Sequence, residues 1–60
     1  MKERYWLHSQ KRIGCIGDPK KAVAADHPFE ELKASDFYEV TEEEYDIVLD
    51  YRYEDGEWQQ

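Results

Sequence analysis

Tyr5 and Leu7 alternate with Arg4, Trp6 and His8, and this period of two predicts a strand from Arg4 to Ser9. Lys11 to Gly17 predicts a second strand, β-branched at Ile13 and Ile16, with Ser9-Gln10 as the turn between them. The two make an N-terminal β-hairpin over about residues 4–17. Gly17-Asp18-Pro19 then stops the strand and opens a helix, because Asp18 suits the N-cap and Pro19 the first helical position. That helix covers about residues 19–25 and is bounded by Pro28. Phe29 to Lys33 can add a further helical turn. Asp36 to Val40 predicts a third strand, with Phe37 and Glu39 alternating against Tyr38 and Val40.

The last third of the chain supports competing patterns. Thr41-Glu42-Glu43-Glu44 matches a capping box, and acids in a first turn suit the helix dipole, so a helix starts at Glu42. Tyr45, Val48, Leu49 and Tyr53 then share one face, and the helix ends near Tyr53 or before Gly56. Yet Tyr45, Ile47, Leu49, Tyr51 and Tyr53 also alternate with Asp46, Val48, Asp50, Arg52 and Glu54, as a strand would. On that reading Asp55-Gly56 is a type I′ turn and Glu57-Trp58-Gln59 the return strand. A helix ending near Leu49 with the hairpin after it is the third option. All three place the chain in the α+β class, as one small domain over residues 1–60.

Composition sharpens this picture. Leu, Ile, Val and Phe make up 11 of 60 residues while 38% of residues are charged, which borders on the composition of disordered chains. Nine aromatic residues argue for folding, since each ring buries a large area. A domain of this size buries only about 60% of its unfolded surface, which leaves no room for a deep substrate cavity.

The net charge of −7 is unevenly distributed. Residues 1–24 carry six basic side chains against Glu3 and Asp18, whereas residues 25–60 carry thirteen acids against Lys33 and Arg52. Such asymmetry points to an interaction surface. On the helical reading Glu42, Asp46, Asp50 and Glu54 form a row at i, i+4, with Glu43 beside it. Successive members rise by about 6 Å, comparable with phosphates spaced about 3.4 Å along the axis of one DNA strand and further apart along its backbone path. On the strand reading the strip is sparser, about 13 Å between acids four apart, and still negative. Acidic runs also serve simply as solvated faces.

Other chemistry finds little support in the sequence. No stretch approaches the roughly 20 apolar residues of a membrane span, and Trp6 to Gln10 builds no apolar core of a signal peptide after the charged Met1-Lys2-Glu3-Arg4. A cytoplasmic protein is expected. Cys15 is the single cysteine and lies in the apolar run Ile13-Gly14-Cys15-Ile16-Gly17, as a buried small hydrophobe would. With His8 and His27 far apart it matches no metal-ligand pattern, and neither a calcium loop nor a phosphate loop is present. No catalytic residue, cofactor or metal is therefore expected, and the chain does not read as an enzyme. His27 before Pro28 reads as a turn cap. Trp6 and Tyr5 beside Arg4, Lys11 and Arg12 read as core aromatics of a basic hairpin rather than as a platform for nucleic acid.

The chain resembles in kind the small acidic inhibitors borne by phages and mobile elements, specifically the anti-CRISPR proteins that imitate DNA. The likeness rests on its length, the Thr41-Glu42-Glu43-Glu44-Tyr45-Asp46 run and the aromatic–acidic segment from Asp50 to Trp58. It implies a partner that normally grips nucleic acid, such as a CRISPR effector complex in the cytoplasm of a host cell, and blockade of that grip. Glu42, Glu43, Asp46, Asp50 and Glu54 would then stand in for phosphates, with Tyr51, Tyr53 and Trp58 as apolar anchors. The alternative is a small adaptor, assembly factor or antitoxin that binds a protein partner through its aromatic residues. Exposed aromatics on so small a domain also allow a homodimer.

Overall fold

In a computed structural model, which describes residues 3–60, five short strands form one sheet. Met1 and Lys2, which enter the N-terminal charge balance and the reading against a signal peptide, lie outside the described residues. Strands β1 (Tyr5–His8) and β2 (Ile13–Ile16) pair antiparallel, with Trp6 opposite Cys15. The predicted hairpin is thus present, but its loop is longer than Ser9-Gln10. His8 Nδ1 accepts the N–H groups of Gln10 and Lys11 at 3.0 and 3.1 Å, which holds the loop open up to Ile13.

Helix α1 (Pro19–Ala24) begins as the sequence predicts: Asp18 caps it, with Oδ1 accepting the Lys20 N–H at 2.9 Å, and Pro19 leads its first turn. The helical turn predicted at Phe29–Lys33 is not formed. A 3₁₀ turn lies instead at Ala34–Asp36, and Phe29 and Leu32 pack into the core from irregular chain. Strand β3 (Phe37–Val40) follows and pairs antiparallel with β1 at the sheet edge.

Helix α2 (Glu42–Tyr45) carries the predicted capping box: Glu44 N–H donates to Thr41 Oγ1 at 3.2 Å and Thr41 N–H to Glu44 Oε1 at 3.4 Å. It does not run to Tyr53 or to Leu49. Asp46 adopts φ −81° and ψ 59°, and the Ile47 N–H bonds to the Tyr45 carbonyl at 2.8 Å, an inverse γ-turn that ends the helix after one turn. The topology requires this. With β4 at Tyr51–Glu54 and β5 at Glu57–Gln59, the sheet order is β3-β1-β2-β4-β5, so the chain must cross β1 and β2 after leaving β3. It then pairs β4 (Tyr51–Glu54) parallel to β2, and a helix to Tyr53 would consume that strand. The period-two reading therefore holds for 51–54, and β5 (Glu57–Gln59) returns from Asp55-Gly56. Both turn residues have positive φ, 54° and 81°, as a type I′ turn demands.

The sheet has two unlike faces. Against the first packs the main core of Ile13, Cys15, Ala22, Phe37 and Tyr53, joined by Trp6, Val23, Phe29, Tyr51 and Trp58. The Trp58 indole N–H donates to the Ala22 carbonyl at 2.9 Å and ties the last hairpin to α1. The second face carries Leu7, Gly14, Arg52 and Glu54 and is crossed by α2 and residues 46–50. Tyr45 is buried there, its ring 5.2 Å from that of Tyr5. No helix among the described residues is long and apolar enough to cross a membrane.

Candidate acidic interface

The crossing chain gathers acids onto the second face. Helix α2 contributes Glu42 and Glu43, its C-cap Asp46, and the far end of β4 Glu54. Together with Tyr5, Ile16, Tyr45 and Arg52 they line one open depression of about 370 Å³. Four of the five predicted acids are therefore brought together. Asp50 is not: it precedes β4, at the opposite end of the strand from Glu54, and its N–H donates to the Arg12 carbonyl at 2.7 Å. The helical row that was to include it ends at Asp46. Glu57, which the sequence reading passed over, stands directly opposite Glu54 across the β4–β5 pair and so belongs to the same face. The Asp55-Gly56 turn was the available signal, since a two-residue hairpin fixes that register.

Among the described residues no direct pairing neutralises these acids. Among the described residues the ion pairs are Arg4–Glu39 at 2.8 Å and Lys33–Glu31 at 3.2 Å, and His8, charged only when protonated, lies 3.8 Å from Asp36; none of these contacts includes an acid of this depression. Arg52 lies in it but is directed elsewhere, its guanidinium 4.9 Å from the Tyr45 ring centre and donating to the Ile47 carbonyl at 2.6 Å. Glu42 accepts the Tyr5 hydroxyl at 2.7 Å, and that bond raises the Tyr5 pKa. Glu44 is turned back into the capping box. The Tyr45 hydroxyl is buried and finds no hydrogen-bond partner among the described residues, and burial, then the Glu54 charge, push its pKa up.

The expectation that Tyr51, Tyr53 and Trp58 stand beside these acids as anchors is corrected. Tyr51 and Tyr53 alternate with Arg52 and Glu54, so they point to the opposite face. There Phe29 meets Tyr51 and Trp58 at ring separations of 5.4 and 5.3 Å, and Tyr53 meets Trp58 at 5.5 Å. They are core residues. Among the described residues the large hydrophobic side chains that do stand exposed are Tyr38, Ile47 and Val48.

The other chemistry-bearing groups are structurally engaged. Cys15 is fully buried, and burial pushes its thiol up to about 12. His27 Nδ1 accepts the Phe29 N–H at 3.3 Å, the turn-capping role read from sequence. No group of three or more His, Cys, Asp or Glu among the described residues is placed to hold a metal ion. Another concavity, about 930 Å³, is an open groove beside Trp6, Pro19 and Ala34. Its Asp18 caps α1, its Arg4 is paired with Glu39, and the Trp6 N–H is bonded to the Gly17 carbonyl at 2.6 Å. Comparison of the chain with protein-family models, curated proteins and solved structures finds no match.

Proposed function

We propose that the protein is an inhibitor whose acidic face docks in the basic groove of a nucleic-acid-binding protein, such as a CRISPR effector complex, and excludes DNA or RNA. The observation that carries this reading is the grouping of Glu42, Glu43, Asp46 and Glu54, from separate segments, around one depression, with no ion pair to any of them among the described residues. Glu57 opposite Glu54 extends the same field. Like charges so placed weaken a fold, and a surface of this kind steers a cationic partner and loses its hold as salt rises. The test is nucleic-acid binding by a panel of purified effector complexes and other nucleic-acid-binding proteins, with and without the protein. Inhibition of a member, abolished by Glu43→Gln, Asp46→Asn and Glu54→Gln together while circular dichroism is unchanged, supports the reading. Inhibition untouched by that triple variant, or no inhibition across the panel, overturns it.

A second reading has its own observation. Tyr38, Ile47 and Val48 are exposed, which suits an adaptor, assembly factor or antitoxin that grips a protein partner through apolar contact, with the acids serving solubility. Capture that resists high salt and added DNA favours it over the first.

A further inference from the structure

The second face is ordered along the strands. Register sets Tyr5, Ile16, Val40 and Glu54 at one end of the sheet, and His8, Ile13, Phe37 and Tyr51 at the other. The first end carries the acidic depression. The second ends in the β1–β2 loop with Lys11 and Arg12, where the exposed Asp50, its N–H on the Arg12 carbonyl, leaves a smaller net positive charge. Between them lies apolar surface: Val48 is 77% exposed, Tyr38 50% and Ile47 48%, above a shallow hollow of about 400 Å³ floored by Leu7 and Leu49 and rimmed by Lys11 and Arg12.

This apolar segment is held in place. Arg12 donates to the Val48 carbonyl at 3.2 Å and Arg52 to the Ile47 carbonyl at 2.6 Å, while Asp50 N–H bonds back to the Arg12 carbonyl. The backbone is therefore fixed with two aliphatic side chains directed outward, which lowers the ordering cost of docking.

We propose that this face is the interface of a homodimer in which a second copy of the chain lies face to face across Tyr38, Ile47 and Val48. An isologous interface must be complementary to itself. The order acid, apolar, base meets that condition for a two-fold axis lying in the interface and running across the strands. Lys11 and Arg12 of each copy then lie over Glu43 and Asp46 of the other, on both sides of an apolar centre. A two-fold axis along the strands would set acids on acids. The inference stands independently of the proposed inhibitor role, with which it would compete for the same acids.

Sedimentation equilibrium of the full chain, from micromolar to about 1 mM at low and high salt, tests it. The expected result is a monomer–dimer equilibrium weakened by salt. Val48→Asp, or Ile47→Glu should that variant alter circular dichroism, raises the dimer Kd about tenfold or more. Lys11→Glu also weakens the dimer, and adding Asp46→Lys restores it. A monomer at every concentration, a dimer indifferent to the apolar substitutions, or further weakening by the second charge reversal overturns the proposal.

Discussion

Gly14 and Tyr45 meet so closely that a Cβ placed on Gly14 would stand 2.6 Å from Tyr45 Cε1, with Leu49 Cδ1 and the Trp6 carbonyl each at 3.0 Å. Gly14 is the central position of β2 on the second face, and the absence of a side chain lets the α2 crossing seat its tyrosine on the sheet. Tyr45 has little freedom to yield: it is 3% exposed, and Arg52 stacks on its ring. Gly14→Ala is therefore expected to destabilise the fold by about 1–3 kcal/mol, read as a lower urea midpoint. A variant as stable as the parent would show that α2 shifts without cost.

His8 gives stability a specific pH window. It is buried, its Nδ1 accepts two backbone N–H groups, and Nε2 carries the proton 3.8 Å from Asp36. Burial holds its pKa below the ordinary 6.5; Asp36 opposes this and Lys11 adds to it. The unfolded chain takes up a proton near 6.5 while the folded chain does so only at lower pH. Stability is therefore fully present above 6.5 and declines as pH falls from there to the native pKa. Glu39, held below its ordinary 4.5 chiefly by its hydrogen bond from Arg4, loses its contribution in a lower window. Urea unfolding between pH 7.5 and 5 should show the decline, and His8→Gln should flatten it. An equal slope in both proteins would assign the effect to other groups.

Glu54 and Glu57 flank the Asp55-Gly56 turn directly opposite one another. Like charges in that position oppose the pairing of β4 and β5. Glu57→Lys makes the pair attractive and is expected to stabilise by about 0.2–1 kcal/mol at low ionic strength, a gain that shrinks as salt screens it. Thermal unfolding at two salt concentrations checks both statements, and a gain insensitive to salt would show that charge is not its source.

Local chemistry was the legible part of this sequence. Asp18-Pro19, the Thr41–Glu44 box and Asp55-Gly56 each specify their own backbone, and each is found where it was expected. The helix end was not legible, because Tyr45 to Tyr53 satisfies periods of both 3.6 and 2. What decides between them is non-local: β4 pairs parallel with β2, which lies far back in the chain. The acidic face inherited this ambiguity. Its α2 members needed only the capping box, whereas Asp50, Glu54 and Glu57 depended on the strand. The same parity sends Tyr51 and Tyr53 into the core, so the anchors read from sequence and the acids belong to opposite faces.

Cys15 is central to that core and offers a direct measure of it. It is opposite Trp6 on one side and Tyr53 on the other, with no exposed surface. Burial is the main cause that lifts its thiol to about 12, and the Asp18 charge adds to it. Thiolate is the reactive form, so at neutral pH the folded chain lacks both the reactive species and a path to it. Labelling by a disulfide reagent is expected to be negligible in buffer and to rise with denaturant in step with the open population, as long as closing outpaces labelling. Cys15→Ser places a hydroxyl in the same site and is expected to cost about 1–3 kcal/mol, and this variant should unfold at lower urea. Rapid labelling of the native protein would mean that β2 is uncovered on one side, and the arrangement of α1 against Trp58 would need to be redrawn.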